Sequence, residues 1–427
     1  MRRFLAFFIA FVAIFAVRAQ QLDSIRVSLL TCSPGPKVYS LYGHTAVRCQ
    51  NLTRNKDIVF NYGVFSFDQP HFVWHFVLGQ CDYMLDAMPW EAFVHEYQSR
   101  GSSVTAQVLN LTTREAFNFY VRLIRNLQPD QREYRYNFLY NNCTTKVRDV
   151  IEGVVEGTIE YPHLEPRNTY RQILHRYTAG YPWAQEGNDF LLGENVDTVL
   201  SARAEMFAPE YLMNYVDGAV VRVSKTEARP LVSETTVVVK KSQQTDYSNN
   251  SESSGYSGSS KLSASYPSPR MACCIFLLIC LFVMCVERWC KFMWWGWDFL
   301  LMLAHGIAGL LITFMFFFSE HPAVDSNWLI WIFNPYPLIG LPIVIKAARK
   351  HQYTPWHTIN FVILTLFILF SPWIPQDFGD MVVPLALSLL TRPVSYLLHY
   401  RIRGSAKEVL VAESPKQVKK KKGKKNK

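Results

Sequence analysis

The side chains of this chain best equipped for covalent chemistry near neutral pH are the thiol of Cys143 and the imidazole of His44. Cys143 stands in YNFLYNNCTTKVRDVIEG, residues 136–153. Asn141 and Asn142 are helix-capping residue types, so the spacing predicts a helix that begins at Cys143, continues over 146–152 and stops at Gly153. A thiol in that first turn meets N–H groups without an intrahelical acceptor and the positive end of the helix dipole, and both favour the thiolate. A thiolate so placed can attack an acyl carbon. An inert buried thiol also fits the position, and these residues alone leave that alternative open.

A cysteine nucleophile needs a base that becomes a cation beside it, and imidazole titrates in the required range. His44 lies in YSLYGHTAVRC, and Asn61 lies in IVFNY, residues 58–62. Asn61 can accept a hydrogen bond from the imidazole and fix its tautomer. Tyr42, or backbone N–H groups near Cys143, can support a developing oxyanion. A satisfied structural histidine and a strand-edge asparagine are the plainer alternatives.

These residues have to be carried by elements. Residues 25–30, 38–49, 58–62 and 104–109 read as strands, the second and third forming an antiparallel hairpin around the loop 51–57. Residues 112–126 have helical periodicity with Glu115 in the first turn, and Phe117, Tyr120, Val121 and Ile124 form the stripe expected to pack under the cysteine helix. The stretch 69–97 is dense in aromatic residues. It reads either as buried core or as an apolar rim for lipid, with Phe72, Trp74, Phe76, Met84 and Trp90 as its members. His71, His75 and Cys81 lack a closing set of ligands, so the pattern calls for no metal and no cofactor.

The whole chain has 427 residues and a formal charge of +10. Eleven Lys or Arg against two Glu fall within 401–427, so the rest is close to neutral. That placement argues against a nucleic-acid-binding body and for a basic tail at a membrane face. Residues 1–19 carry Arg2 and Arg3, an apolar run and a small-residue cleavage site, the parts of an export signal. The domain 20–241 is then outside the cytoplasm, and Cys32, Cys49, Cys81 and Cys143 meet an oxidising compartment in which at most two disulfides form. Whether Cys32 pairs with Cys49 or Cys81 is open. Residues 242–270 are Ser-rich and read as a tether.

Five apolar spans follow, at 271–286, 297–318, 328–345, 356–373 and 381–398, the last interrupted by Arg392 and Pro393. Arg288 and Lys291 follow the first span, and Lys346, Arg349 and Lys350 the third, whereas the loops after the second and fourth contain neither Lys nor Arg. This alternation places the N-terminal domain outside and the tail, 401–427, in the cytoplasm. Glu320, His321 and Asp325 lie in an external loop and Asn334 to Pro337 break the third span; together they read either as an ordinary loop and kink or as the mouth of a bundle where a lipid headgroup docks. His305 and His357 lie within spans, where polar groups face protein.

Together, YSLYGHTAVR, IVFNYGVFSF, YNFLYNNCTTKVRDVI, EHPAVDSNW and the five-span region resemble the lipoprotein N-acyltransferases of Bacteroidota. The resemblance covers nearly all of the chain after the signal. It implies an α+β, circularly permuted papain-like periplasmic domain joined to an all-α transmembrane bundle in the inner membrane. Cys143 falls at the nucleophile, His44 at the base and Asn61 near the third position. Apart from the resemblance, the residue types of Tyr42, Trp74, Trp90 and His321 make them candidates for oxyanion or lipid-site support. The implied activity moves an acyl chain from a membrane phospholipid, through a cysteine thioester, to the N-terminal amine of a diacylated lipoprotein. A periplasmic thiol hydrolase and a nonenzymatic docking scaffold are the competing readings.

Overall fold

The structure, a computed structural model, describes residues 22–35, 37, 40–66, 70–165, 167–241 and 266–400, with the helix backbone continuing to Ala412. The expected export signal, all but the last residues of the tether and the side chains of the basic tail lie outside the described residues. The chain divides into two compact units, one of 1–185, 195–265 and 318–323, the other of 186–194, 266–317 and 324–427.

The first unit is built on a seven-stranded antiparallel sheet. Its strands are β1 (Ile25–Cys32), β2 (His44–Asn51), β3 (Lys56–Val64), β4 (Asp82–Pro89), β5 (Val104–Leu109), β6 (Glu133–Arg135) and β10 (Val232–Val239). They lie in the order β10-β5-β1-β2-β3-β4-β6, which places β2 at the centre with β3 beside it. Strand β1 is buried at every position but Arg26, which explains its weak alternation: both faces are covered, so both faces are apolar. The β2–β3 hairpin pairs Asn51 with Lys56, and Asn55, at φ 51°, takes the left-handed turn position that asparagine tolerates. A small sheet of β7 (Thr158–Glu160), β8 (Val220–Arg222) and β9 (Ala228–Pro230) completes the strands.

The cysteine helix, Cys143–Val154, packs on β2 and β3. It does not stop at Gly153. That glycine lies inside it, where a side chain would run into the guanidinium of Arg122 on the neighbouring helix Thr113–Asn126, so its role is close approach. The neighbouring helix has Thr112 as N-cap and Glu115 closing a capping box, as its sequence predicts. Its buried stripe is Ala116, Phe119 and Leu123, while Val121 is exposed, one position out of phase with the expected stripe. Buried Glu115 sets the phase: its carboxylate accepts from Thr112 N at 2.7 Å, Glu156 N at 2.7 Å and Arg229 at 2.6 Å.

Among the described residues of the second unit, five helical stretches are long and apolar enough to cross a membrane: Pro269–Cys290, Trp295–Phe318, Trp328–Arg349, Pro355–Trp373 and Val382–Tyr400. The third is broken before Tyr336, as its prolines predict. The freed backbone is satisfied from within: His305 Nε2 meets the Ile332 carbonyl at 2.6 Å, and Asn334 Oδ1 accepts from Tyr336 N at 3.0 Å. Gly309 permits the approach, since a side chain there would lie 2.1 Å from the Asn334 carbonyl oxygen. His357 stacks on Tyr396 with ring centroids 3.7 Å apart.

Arg392 and Pro393 do not interrupt the last helix, which runs from Val382 to Ala412. The Arg392 guanidinium is buried between two carboxylates, Glu287 at 2.7 Å and Asp298 at 2.6 Å, and Tyr396 donates to Asp298 at 2.7 Å. Three helices are thereby clamped through one cation. Arg392→Leu strands two buried carboxylates, and the expected loss is about 3–5 kcal/mol. Unfolding of the purified protein in detergent measures it, and wild-type stability would contradict the clamp.

Candidate active site

His44 begins β2 and Asn61 lies on adjacent β3, so both stand on the most constrained strands of the sheet. His44 Nε2 is 3.2 Å from Asn61 Oδ1, which leaves Nδ1 as the nitrogen available to sulfur. Cys143 is the first residue of its helix. Asn142, not Asn141, is the cap: its Oδ1 accepts from Thr144 N and Thr145 N, both at 2.9 Å, an arrangement that contributes about 1 kcal/mol. Its Nδ2 donates to the Phe138 and Phe207 carbonyls at 2.7 and 3.0 Å, anchoring the helix start from two directions. Asn141 instead holds the preceding loop, donating to the Arg135 carbonyl at 2.8 Å.

The Cys143 thiol feels the charge of His44 and lies close enough to its imidazole and to the Thr45 backbone N–H for both to favour the thiolate. The Thr144 hydroxyl lies 3.8 Å from the sulfur and 3.0 Å from the Thr45 hydroxyl, a buried contact that joins helix to strand. Burial alone would push the thiol up. The His44 cation, its hydrogen bond, and the Thr45 and Thr144 donors outweigh burial and bring Cys143 down to about 7. In His44 burial disfavours the cation, but the neighbouring thiolate and the Asn61 hydrogen bond prevail and raise it. The two groups titrate as a pair, each stabilising the other's charge.

The other cysteines of this unit behave differently. Cys32, Cys49 and Cys81 are free thiols, as is Cys143. Burial pushes Cys32 up to about 12 and also raises Cys49 and Cys81, so Cys143 alone among the four is shifted toward thiolate. Both Cys143 and His44 remain partly exposed, so a reactant can reach them.

The remaining sequence-derived positions separate. Tyr42 sets its ring edge against Tyr177 at 5.9 Å, and its hydroxyl, like Cys143, is close enough to add to the effect of burial in raising Tyr136. Trp90 lies under the Arg48 guanidinium at 3.7 Å and packs with Phe93 into the core that contains Leu30, Ala46 and Val59. Trp74 is 55% exposed on the short helix Phe72–Leu78, which buries none of its residues and also exposes Val73 and Phe76. His321 belongs to the same unit: its Nε2 meets the Phe76 carbonyl at 2.6 Å.

Rings join these positions. Tyr136 stacks on Tyr83 at 4.0 Å, Tyr83 on Phe65 at 4.7 Å, Phe65 on Phe72 at 6.0 Å and Phe72 on Phe76 at 6.0 Å, and Phe76 meets His321 at 5.5 Å. An apolar lane therefore runs from the surroundings of Cys143 to the exposed helix. Neither Phe65 nor Tyr136 stands out in the sequence, because only strand pairing brings β4 beside β3 and β6. The Asn61 carboxamide orients the imidazole through one hydrogen bond. Asn61→Ala is expected to slow any Cys143-dependent reaction about fivefold, the worth of one such bond of about 1 kcal/mol, and thiol alkylation kinetics will measure it.

Two family models match the chain. One, described as the Lnb N-terminal periplasmic domain, matches residues 15–176, and the other, described as the Lnb transmembrane domain, matches residues 261–403. Comparisons with curated proteins and with solved structures gave no match.

Proposed function

Because the chain belongs to the Lnb family, the lipoprotein N-acyltransferases of Bacteroidota, we propose that Cys143 carries an acyl chain from a phospholipid to a lipoprotein amine. Family membership makes the protein an acyltransferase of the inner membrane with its N-terminal domain in the periplasm. The residues that act and the substrates they act on go beyond membership. Their single strongest support is the pairing of Cys143 with His44, whose charge and hydrogen bonding bring the thiol down to about 7 against the pull of burial.

In the first half-reaction His44 takes the thiol proton and Cys143 sulfur attacks an ester carbonyl of the phospholipid. The bond from carbonyl carbon to glycerol oxygen breaks, and His44 returns the proton to the departing alcohol, leaving a thioester. In the second, the free α-amine of a diacylglyceryl-cysteine attacks the thioester. The carbon–sulfur bond breaks, an amide forms, and His44 relays a proton to regenerate the thiol. Asn61 fixes the imidazole throughout. The lane from Tyr136 to Phe76 suits an acyl chain, and Val73, Trp74 and Phe76 suit a lipid surface. His321 Nε2 donates to the Phe76 carbonyl, and burial lowers its imidazole, so the neutral ring meets a headgroup through Nδ1 as an acceptor.

We read the domain as papain-like and circularly permuted: the histidine strand precedes the cysteine helix, a thiol at a helix start faces an imidazole on an antiparallel sheet, and an asparagine stands on the next strand. The same reading keeps an export signal at 1–19, a tether at 242–270 and a cytoplasmic tail at 401–427. The deciding experiment supplies the full-length protein, in phospholipid vesicles, with a diacylated lipopeptide. Mass spectrometry should find the acyl group first on Cys143 and then on the peptide amine. Release of free fatty acid with an unmodified amine would instead establish a hydrolase.

A further inference from the structure

The hydroxyl oxygen of Tyr134 is buried and has no hydrogen-bond partner among the described residues. An unpaired buried hydroxyl costs about 1–3 kcal/mol, so an acceptor is called for at this point. Tyr134 is the middle residue of β6, opposite Tyr83 of β4. Its ring is held edge-on by Tyr62 at 6.1 Å, with the Lys146 ammonium 4.5 Å above its centre. The hydroxyl is therefore aimed by its neighbours rather than left to rotate into solvent.

What it is aimed at is set by Gly63. A side-chain carbon built on Gly63 would lie 3.5 Å from Cys143 Cβ and 3.9 Å from the Tyr134 hydroxyl oxygen. The sulfur-bearing carbon and the phenol thus flank one small space, open because Gly63 carries no side chain. Its φ of 89° is a backbone conformation that other residues resist. Cys143 itself supplies a second donor. Asn142 caps Thr144 and Thr145, which leaves the Cys143 N–H among the helix-start groups with no intrahelical acceptor.

On the reading that Cys143 attacks an acyl ester, we propose that Tyr134 is a catalytic residue whose O–H, with the Cys143 N–H, stabilises the oxyanion formed on the substrate carbonyl. As the carbon–sulfur bond forms, the carbonyl π pair moves onto oxygen, and the phenol donates a hydrogen bond without giving up its proton. The pair then returns, the bond to the glycerol oxygen breaks, and His44 protonates that oxygen. Burial first, and then the Cys143 charge, hold the phenol far above its ordinary range, so it stays a donor wherever the enzyme works. Attack of the amine on the thioester builds an oxyanion at the same place and uses the same donor.

Tyr134→Phe in the full-length protein tests this with two rates. Acylation of Cys143 from a fluorescent diacyl phospholipid in vesicles passes through an oxyanion, whereas alkylation of Cys143 by iodoacetamide does not. The expected result is acylation slower by about 10²- to 10³-fold, the usual effect of losing one oxyanion donor, with alkylation unchanged. The variant should melt no lower than the parent, because the change removes an unpaired hydroxyl. Acylation at the parent rate would overturn the proposal. So would a parallel fall in both rates, which would make the phenol a support of the thiol–imidazole pair. If the unaltered protein forms no acyl-enzyme on Cys143, the parent reading fails, and this one with it.

Discussion

Cys143→Ala should abolish lipoprotein N-acylation while leaving the protein folded and in the membrane. The expected loss is on the order of 10⁴-fold or more, as when a covalent nucleophile is deleted from a catalytic unit. Little structure rests on the sulfur. The helix start is held by Asn142, whose four side-chain hydrogen bonds survive the change, and by the buried Thr45–Thr144 contact. Cys143→Ser is expected to be equally inactive, because an alcohol in the same place is not brought near neutrality by His44. The measurement is the mass of lipoprotein N-terminal peptides from cells in which the variant is the sole copy. Accumulation of diacylated peptide with a free amine is the expected outcome, and continued triacylation would refute Cys143 as the carrier. A docking scaffold with an inert thiol predicts that continued triacylation, so the same spectrum separates enzyme from scaffold.

The residues proposed for chemistry are legible in the sequence because their chemistry is legible. A cysteine after two asparagines reads as a thiol at a helix start, since capping is a local matter of one side chain and two amides, and the structure places Asn142 in that role. His44 and Asn61 lie on paired strands whose hairpin is visible in β-branched and aromatic runs flanking a polar loop. Their 3.2 Å contact needs tertiary structure, yet any strand pairing that joins the two runs makes it feasible. Five membrane helices are legible for a different reason: length, hydropathy and basic-loop asymmetry are each set by the bilayer, not by packing.

What escapes the sequence depends on burial decided elsewhere in the chain. Tyr134 gives no signal, because an unpaired phenol is a property of its surroundings and not of its sequence neighbours. The stripe of the helix Thr113–Asn126 falls one position from its expected place because Glu115 is carried inside by Arg229 from more than one hundred residues away. Arg392 looks like the end of a span, since a lone cation in lipid is costly. Its partners Glu287 and Asp298, on two other helices, remove that cost. The aromatic stretch 69–97 resolves into both of its readings, with Tyr83, Leu85 and Phe93 buried and Val73, Trp74 and Phe76 exposed. Composition cannot separate faces that a strand and two helices divide among themselves.

His44→Ala should lower acyl transfer by about 10³-fold and also move the reactivity of Cys143 up the pH scale. The direction follows from the balance of effects at the sulfur. Burial raises the thiol, and the two largest opposing influences are the charge and the hydrogen bond of His44. With the imidazole gone, the Thr45 N–H and the Thr144 hydroxyl remain, and burial prevails. In the parent protein thiolate accumulates as pH rises through about 7, so alkylation by iodoacetamide should follow that midpoint. In the variant the midpoint should move above the ordinary thiol range of about 8.5, leaving a small thiolate fraction at neutral pH. Raising the pH should then restore alkylation but not acyl transfer, because the alkoxide leaving the phospholipid still lacks its proton donor. That split distinguishes a base and acid from a residue that merely keeps the thiolate company. His44→Gln, which can hydrogen-bond but cannot titrate, should behave like the alanine variant in transfer. An alkylation midpoint that stays near 7 in both variants would show that some other group ionises Cys143.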